Sequence, residues 1–514
     1  MELFISRALI CLTMGMKRFL LIIVCAISVC TYAKDIVIDF NDPTAFYERY
    51  VFTKGIEGKA IDLSSAAYHR NPVTISEVDS VDMSRTFSMG IWVKASSSNQ
   101  GVRGIVGNKK SFDGRDAGFL LSTQANGSWA VHFTDGKNWQ WDYQPTVARQ
   151  PVTDGKWHFL AVTFDSDRQE MKMYYDGMLV AIYCTNGNKH LGSSSALYVG
   201  NYVDDQWHSF EGCLDRFTFT DRIKTEAEIA DEFYAYTGVR HESHLDKFTS
   251  ELNLMAFNIY HGGHELGENV GVQRVVDVIK ASGADVVGMI ETYGAGAEIA
   301  DALGYYLYLR SSNLSILSKY PIEQTWDMFQ PFNTCAATIR ISQTQTFNYV
   351  NLWLDYLPST DEQVRTGVSV EEMIKQEGPT RLRELKCILN DMKPFLDQKD
   401  TPLFVSGDFN SGSHLDWTEK AKSLFQGCVF PWPTSVLMEQ YGFKDSYREL
   451  YPNELEYPCL TWSTMSKLDI QYRIDFIYYK GKKVKAIHSE MIDKHPVRFP
   501  SDHAAMLTTF KFKK

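Results

Sequence analysis

The sequence predicts two domains, an all-β sandwich followed by a layered α+β domain, and three observations predict it. At 514 residues the chain exceeds what one hydrophobic core usually serves, roughly 250–300 residues. Residues 35–240 hold short β-branched and aromatic runs punctuated by Gly, Asp and Asn, the pattern of antiparallel strands. From Leu252 onward strands alternate with segments of helical spacing, and the strand ends carry polar residues. The polar stretch 241–250 (HESHLDKFTS) is expected to be a linker, with the second domain running over 251–514.

Residues 1–33 read as an export signal. Met16-Lys-Arg18 is basic, Phe19 to Val29 is apolar, and Thr31-Tyr-Ala33 offers small residues for cleavage before Lys34. The apolar run falls short of the ~20 residues of a membrane span. An exported mature chain without a transmembrane segment is expected; Cys30 is an alternative lipoprotein anchor, against which Val29 argues. Of nine cysteines, six remain after cleavage, with no CxxC spacing for zinc. Export permits disulfides, and Cys184–Cys213 and Cys428–Cys459 are the first pairs to test.

The net charge is −11, and residues 251–514 hold 27 Lys+Arg against 33 Asp+Glu, about −6 for that half. Nucleic-acid affinity comes largely from basic side chains neutralising phosphates, so a nucleic-acid partner is disfavoured. The one basic run, Lys480-Gly-Lys-Lys-Val-Lys485, reads as a solvated hairpin edge.

In the first domain, Phe87–Val93, Gly118–Leu121, Ala130–Phe133, Phe159–Phe164 and Met171–Tyr175 are strand-like runs, and Tyr175-Asp-Gly-Met178 is a tight-turn signal. Asp154-Gly-Lys-Trp-His-Phe-Leu-Ala-Val-Thr-Phe164, Met173-Tyr-Tyr-Asp-Gly177, Ala196–Gly200, Phe210–Phe217 and Thr225–Ile229 follow in an order that resembles the laminin-G-like, concanavalin-type jelly rolls. The resemblance implies a jelly-roll sandwich that often binds glycans or proteins and often serves only as a spacer. Trp129, Trp139, Trp141 and Trp207 are candidates for stacking on sugar rings, although core packing is the commoner fate of a sandwich tryptophan.

In the second domain, strands are expected at Leu252–Asn258, Asp285–Ile290, Phe347–Leu354, Leu403–Ser406, Arg473–Tyr478 and Ala504–Phe510. Helices are expected at Val270–Ala281, around Glu298–Leu303, near Glu371 and at Arg381–Leu396. Five strand ends present chemistry: Asn258, Glu291, Asp408 with Asn410, Asp475, and Asp502 with His503. One aspartate at a strand end is usually a turn former; five such ends in series are more than turns require. Hard oxygen donors with a single imidazole suit Mg²⁺, Mn²⁺ or Ca²⁺ better than zinc.

Met255-Ala-Phe-Asn258, Val287-Gly-Met-Ile-Glu291, Leu314-Ser-Ile-Leu-Ser-Lys-Tyr-Pro-Ile322, Ser406-Gly-Asp-Phe-Asn410, Arg473-Ile-Asp-Phe476 and Ser501-Asp-His503 stand in an order that resembles the endonuclease/exonuclease/phosphatase superfamily. The resemblance implies a four-layer α+β sandwich of the DNase type and a metal-dependent phosphoesterase. By that resemblance Glu291 is the principal metal ligand, with Asn258 and Asp502 beside the metal. Asp408 orients and deprotonates water, Asn410 donates to phosphate or water, and His503, oriented by Asp475, contacts phosphate. One position departs from the pattern: Trp353 stands where many members carry histidine, so a second imidazole would have to come from His261, His264 or His414.

His261, His414 and Tyr356 are candidate substrate contacts. Arg381 and Arg383 are read as surface ion pairs before phosphate partners. The substrate expected is a phosphoester on a glycan or sugar, with the sandwich as docking module. A secreted nuclease or a sphingomyelinase-type lipid hydrolase is the alternative, and a non-catalytic adhesion protein is a third reading. A nuclease would need a basic groove; a lipid hydrolase would need exposed aromatic loops, for which Phe430-Pro-Trp-Pro433 is the candidate.

Overall fold

The structure is a computed structural model that describes residues 35–41, 50–64, 73–75, 85–96, 101–109, 117–137, 140–186, 197–201, 208–241, 245–465 and 470–513. The expected export signal, Trp139 and Trp207 lie outside these residues. Among the described residues no helix is long and apolar enough to cross a membrane.

Residues 35–240 form two facing sheets. One runs, in spatial order, Val51–Lys54, Lys59–Asp62, Gly212–Thr220, Phe87–Ala95, His158–Asp165, Glu170–Tyr175 and Met178–Cys184; the other includes Gly104–Gly107, Gly118–Thr123, Trp129–Thr134 and Gln140–Tyr143. Central strands such as Phe87–Ala95 are buried at almost every position, which explains their near-continuous apolar character. Asp176 and Gly177 both have positive φ, 49° and 80°, and Tyr175 pairs with Met178. This is the two-residue turn whose twist matches the flanking strands. Trp129 and Trp141 are core residues, and Trp129 Nε1 donates to Gln150 Oε1 at 2.9 Å. They are therefore not available to stack on sugars.

The second domain stacks helix, sheet, sheet and helix. One sheet orders Tyr306–Leu309, Leu314–Ser318, Val286–Ile290, Glu251–Asn258, Ala505–Phe512 and Val484–Ile492; the other orders Ile322–Trp326, Thr334–Arg340, Thr346–Trp353, Leu403–Asp408, Asp475–Lys480 and Lys444–Asp445. Helix Glu268–Ser282 turns Val272, Val275, Val276 and Ile279 onto the first sheet, and helix Arg381–Asp391 turns Leu385, Ile388 and Leu389 onto the second. Buried Asn351 ties the sheets face to face, its Nδ2 donating to Met289 O at 3.0 Å and Ser315 O at 3.2 Å. Gly407 has φ 144°, and a Cβ there would sit 1.9 Å from Leu352 O. Only glycine lets the strand carrying Asp408 lie this close to its neighbour. Lys480–Lys485 crosses from one sheet to the other instead of closing a hairpin, because the two flanking strands belong to different layers.

The two domains share a sheet. Met178–Cys184 of the sandwich runs parallel to Tyr306–Leu309, with Ala181 opposite Leu307 and Tyr183 opposite Leu309, so that one sheet counts fourteen strands. Side chains reinforce the seam: Gln150 Nε2 donates to Asp301 Oδ1 at 2.9 Å, and Arg310 Nη1 to Cys184 Sγ at 2.8 Å. Part of the expected linker is fastened too, with Thr249 Oγ1 donating to Ile341 O at 2.7 Å and Gln343 N to Asp246 O at 2.9 Å. Cys184, Cys213, Cys335, Cys387, Cys428 and Cys459 are all free thiols. Neither of the two pairs named for testing is joined: Cys184 faces Arg310, and Cys459 is buried beside the Met506 sulfur.

A buried charge network sets the second sheet's active edge. Arg473, fully enclosed, grips Asp445 with two nitrogens at 2.9 and 2.6 Å and Asp416 at 3.0 Å. Asp445 also caps helix Ser446–Leu450, accepting from Tyr447 N at 3.1 Å and Arg448 N at 3.2 Å. Arg448 pairs with Asp416 and donates to Tyr451 O at 2.9 Å and Tyr457 O at 3.0 Å. Every charge has a partner, as enclosed charges require. The network pins the chain two residues before Asp475.

Candidate active site

The polar strand ends meet where the two facing sheets reach the same edge of the domain. Asn258 closes its strand with its side chain fully buried, and its Nδ2 donates both to Glu291 Oε1 at 3.1 Å and to Asp408 Oδ2 at 3.3 Å. One amide thus bridges a carboxylate of the first sheet and a carboxylate of the second. Ser501 Oγ donates to Asn258 O at 2.6 Å and accepts from His503 N at 3.0 Å, which draws the Ser501-Asp-His503 turn to the same point. His503 Nδ1 lies 2.9 Å from Asp475 Oδ2, and its Nε2 lies 3.9 Å from Asp408 Oδ2. Asn410 donates its backbone N–H to Asp408 Oδ1 at 2.8 Å and its Nδ2 to Leu354 O at 2.8 Å.

The backbone is bent to make this arrangement. Tyr260, His261, Glu291, Tyr293 and Asn410 all have positive φ, between 31° and 57°. Each such conformation in a residue other than glycine costs about 1–3 kcal/mol and persists only where neighbours impose it. At Glu291 the neighbour is Asn313, whose Oδ1 accepts the Glu291 N–H at 3.1 Å; His261 N then donates to Glu291 Oε2 at 2.8 Å.

Electrostatically the cluster has more negative charge than it can balance. Burial pushes the Asp408 carboxyl up, the Asp475 and Glu291 charges add to that, and His503 only partly offsets it. Asp502 is likewise raised, by burial first. Burial alone would depress the His503 imidazole, yet the Asp475 and Asp408 charges outweigh it and push it up to about 10. Asp475 Oδ1 and Asp502 Oδ1 are buried oxygens without a hydrogen-bond partner among the described residues. Orphaned carboxylate oxygens and elevated carboxyl pKa values mark an oxygen-rich site that a divalent cation would relieve. Ligand atoms of Asp408, Asp475 and His503 lie within 4.8 Å of one another. Since the imidazole is held protonated, and a protonated ring offers no lone pair to a metal, that trio fits a proton relay better than a cation nest. Glu291 accepts from the Asn258 amide through one carboxylate oxygen and from the His261 N–H through the other.

The His503 shift carries a prediction. Its folded-state pKa lies above the ordinary ~6.5, so the ion pair with Asp475 stabilises the metal-free protein fully below that value. The contribution fades as pH rises through about 10. In the NMR titration of metal-free protein the His503 ring stays protonated at pH 8, and Asp475→Asn moves its titration to lower pH. The difference in melting temperature between the two proteins narrows as pH is raised toward 10.

The weaker candidates divide. His261 is exposed beside the cluster, Nε2 3.8 Å from Glu291 Oε2, and its hydrogen bond to Glu265 raises its pKa. His264 is exposed. His414 is tied elsewhere, Nδ1 2.8 Å from Ser435 Oγ and Nε2 3.2 Å from Glu439, so both ring nitrogens serve the neighbouring helix Pro433–Gln440. Tyr356 is exposed at the rim, 6.2 Å from the Trp353 ring. Arg381 is neither a surface pair nor a phosphate partner: it is buried with Glu377. Phe430 and Trp432 are buried in an aromatic cluster with Trp417, so that segment is not the exposed aromatic loop expected of a lipid hydrolase. Asn313 escaped the sequence reading; its one signal is the Ser311-Ser-Asn313 turn before an apolar strand.

Residues 255–503 match the Endonuclease/Exonuclease/phosphatase family model, and residues 69–230 match that of the Concanavalin A-like lectin/glucanases superfamily. Uncharacterized protein F14F9.5 of Caenorhabditis elegans is 28% identical over 290 residues, 51% of this chain and 91% of that protein. Among solved structures, truncated Caenorhabditis elegans TDP2 is similar with 19% identity over 52% of this chain and 99% of its own, TM-score 0.36. Bacteroides thetaiotaomicron mannosyl-6-phosphatase shows 17% identity over 51% of this chain and 100% of its own, TM-score 0.36.

Proposed function

We propose, from the match of residues 255–503 to the Endonuclease/Exonuclease/phosphatase family model, that the protein is an exported, divalent-metal-dependent phosphoesterase acting on a sugar phosphate or phosphorylated glycan. The observation that carries the reading is the Asn258 amide, which holds Glu291 and Asp408 on either side of itself at 3.1 and 3.3 Å. Hydrolysis of a phosphate ester needs an oriented water, a base to take its proton, and fixed positive charge against the non-bridging oxygens.

Asp408 is the base. Burial raises its proton affinity, and the Asn410 N–H at 2.8 Å holds one carboxylate oxygen so that the other faces the cluster. A base matched to the operating pH accepts a proton with the least penalty. His503, cationic and oriented by Asp475 at 2.9 Å, donates to a phosphate oxygen. Asn258 and Asn410 add amide donors that stay in place as charge shifts. Mg²⁺, with Mn²⁺ or Ca²⁺ suited to the same donors, would be held by Glu291 with Asn258 and Asp502 and would neutralise phosphate charge there. His261 supplies an imidazole on the Glu291 side, its pKa raised by the hydrogen bond to Glu265, where Trp353 leaves the second strand without one.

A small, singly phosphorylated substrate is favoured over nucleic acid. Among the described residues, the hydrogen bonds and ion pairs of Asn258, Glu291, Asp408, Asn410, Asp475 and His503 involve no lysine or arginine, and a polynucleotide would bring several phosphates to neutralise. The sandwich is read as a glycan-docking module.

The test is a substrate panel: sugar phosphates, oligonucleotides, sphingomyelin and inositol phosphates, each with Mg²⁺ and with EDTA. Sugar phosphates are hydrolysed only with the metal present. Turnover of DNA alone would overturn the substrate class, and undiminished turnover in EDTA would remove the metal-dependent mechanism.

A further inference from the structure

The polar cluster has an aromatic rim that the hydrolytic chemistry does not use. Trp353 pairs in register with Asp408 on adjacent parallel strands, and paired positions present their side chains to one face of a sheet. Phe332, 40% exposed, meets the Trp353 ring edge-on at 5.5 Å, and Tyr356, 58% exposed, lies 6.2 Å from it with a 48° tilt. Both ends of this row are joined to the reacting groups. Asn313 Nδ2 donates to Phe332 O at 2.9 Å while its Oδ1 holds the Glu291 N–H. Asn410 Nδ2 donates to Leu354 O, two residues before Tyr356.

Tyr356 is exposed, yet its loop is anchored from beneath. Arg381, 1% exposed and paired with Glu377, donates to Tyr356 O at 3.1 Å and Pro358 O at 2.5 Å. Glu384 accepts the Asp355 N–H at 2.9 Å, and Asp355 accepts the Leu357 N–H at 2.9 Å. Burying an ion pair is costly, and this one clamps two carbonyls of a surface loop. The backbone that carries the ring is set in place before any ligand arrives, which lowers the ordering cost of binding.

We propose that Phe332, Trp353 and Tyr356 form a platform for the ring that bears the phosphate, and that this ring is a pyranose. The proposal rests on the phosphoesterase reading above and deepens it to a substrate class. The three aromatic rings are not parallel, so they make no slot for a flat base. They form a shallow corner, in which a puckered sugar lays its apolar C–H face on one ring and meets a second at its edge. The sugar's hydroxyls remain in water.

Trp353→Ala, Tyr356→Ala and wild type are compared on a hexose 6-phosphate, a nucleoside 5′-monophosphate and glycerol phosphate, all with Mg²⁺. Each substitution lowers kcat/KM for the hexose phosphate relative to glycerol phosphate by about tenfold, the size of one aromatic stacking contact. The loss lies in KM. Equal losses on hexose and glycerol phosphates, or a loss confined to the nucleotide, would overturn the platform. Because Trp353 is half-buried, Tyr356→Ala is the decisive variant. Saturation-transfer NMR with hexose 6-phosphate and EDTA-treated protein separates the two readings. Ring-proton contacts that are present in wild type and lost in Tyr356→Ala support the platform even if no phosphoester is turned over; their absence in wild type sinks it even if hydrolysis is seen.

Discussion

Asp408→Asn is expected to lower kcat for the phosphoester by about 10²–10⁴-fold, the usual contribution of a positioned base, while the far-UV spectrum stays native. Asparagine preserves the shape of the side chain but cannot take the proton of water. The size of the loss follows from position. Asp408 is 1% exposed and takes hydrogen bonds from both Asn258 and Asn410, and the nearest cation among its contacts is His503 at 3.9 Å. Of the neighbouring carboxylates, Asp475 holds His503, and Glu291 accepts from Asn258 and the His261 N–H. Stopped or steady-state assays decide the matter, and a rate within threefold of wild type would reassign the base.

The second large effect concerns stability. Asp445→Ala is expected to cost about 3–5 kcal/mol in equilibrium urea unfolding, because it leaves an enclosed guanidinium short of its partner. Asp445 accepts from Arg473 at 2.9 and 2.6 Å and also caps helix Ser446–Leu450. Removing it breaks both connections. A shift in midpoint below about 1 kcal/mol would mean that Asp416 compensates, since it contacts Arg473 and Arg448 together.

The clustered polar residues were legible because each stands at a strand end. Asn258, Glu291, Asp408, Asp475 and His503 each follow or precede an apolar strand, and facing sheets bring such ends together. The helices at Glu268–Ser282 and Gly296–Leu303 were legible from their apolar faces. What could not be read is whatever depends on a distant partner. Phe430 and Trp432 looked exposed in a Pro-rich loop, but Trp417 and Tyr472 cover them. His414 sits four residues after Asn410, yet Ser435 and Glu439 hold its ring. Arg381 pairs with Glu377 four residues before it, but one helix ends at Glu377 and the next begins at Arg381, so helical spacing gave no signal for the pair. Parallel pairing of Met178–Cys184 with Tyr306–Leu309 has no local mark at all, since no short turn joins the strands.

That pairing changes what a docking module can do. A flexible tether would let the catalytic pocket sample a volume around its anchor and would reward any phosphate within reach. Two domains welded edge to edge through one sheet have no such freedom. A polymer gripped by the sandwich would be presented to Asp408 at one span and one angle, so the molecule would measure the interval between the gripped unit and the phosphorylated one.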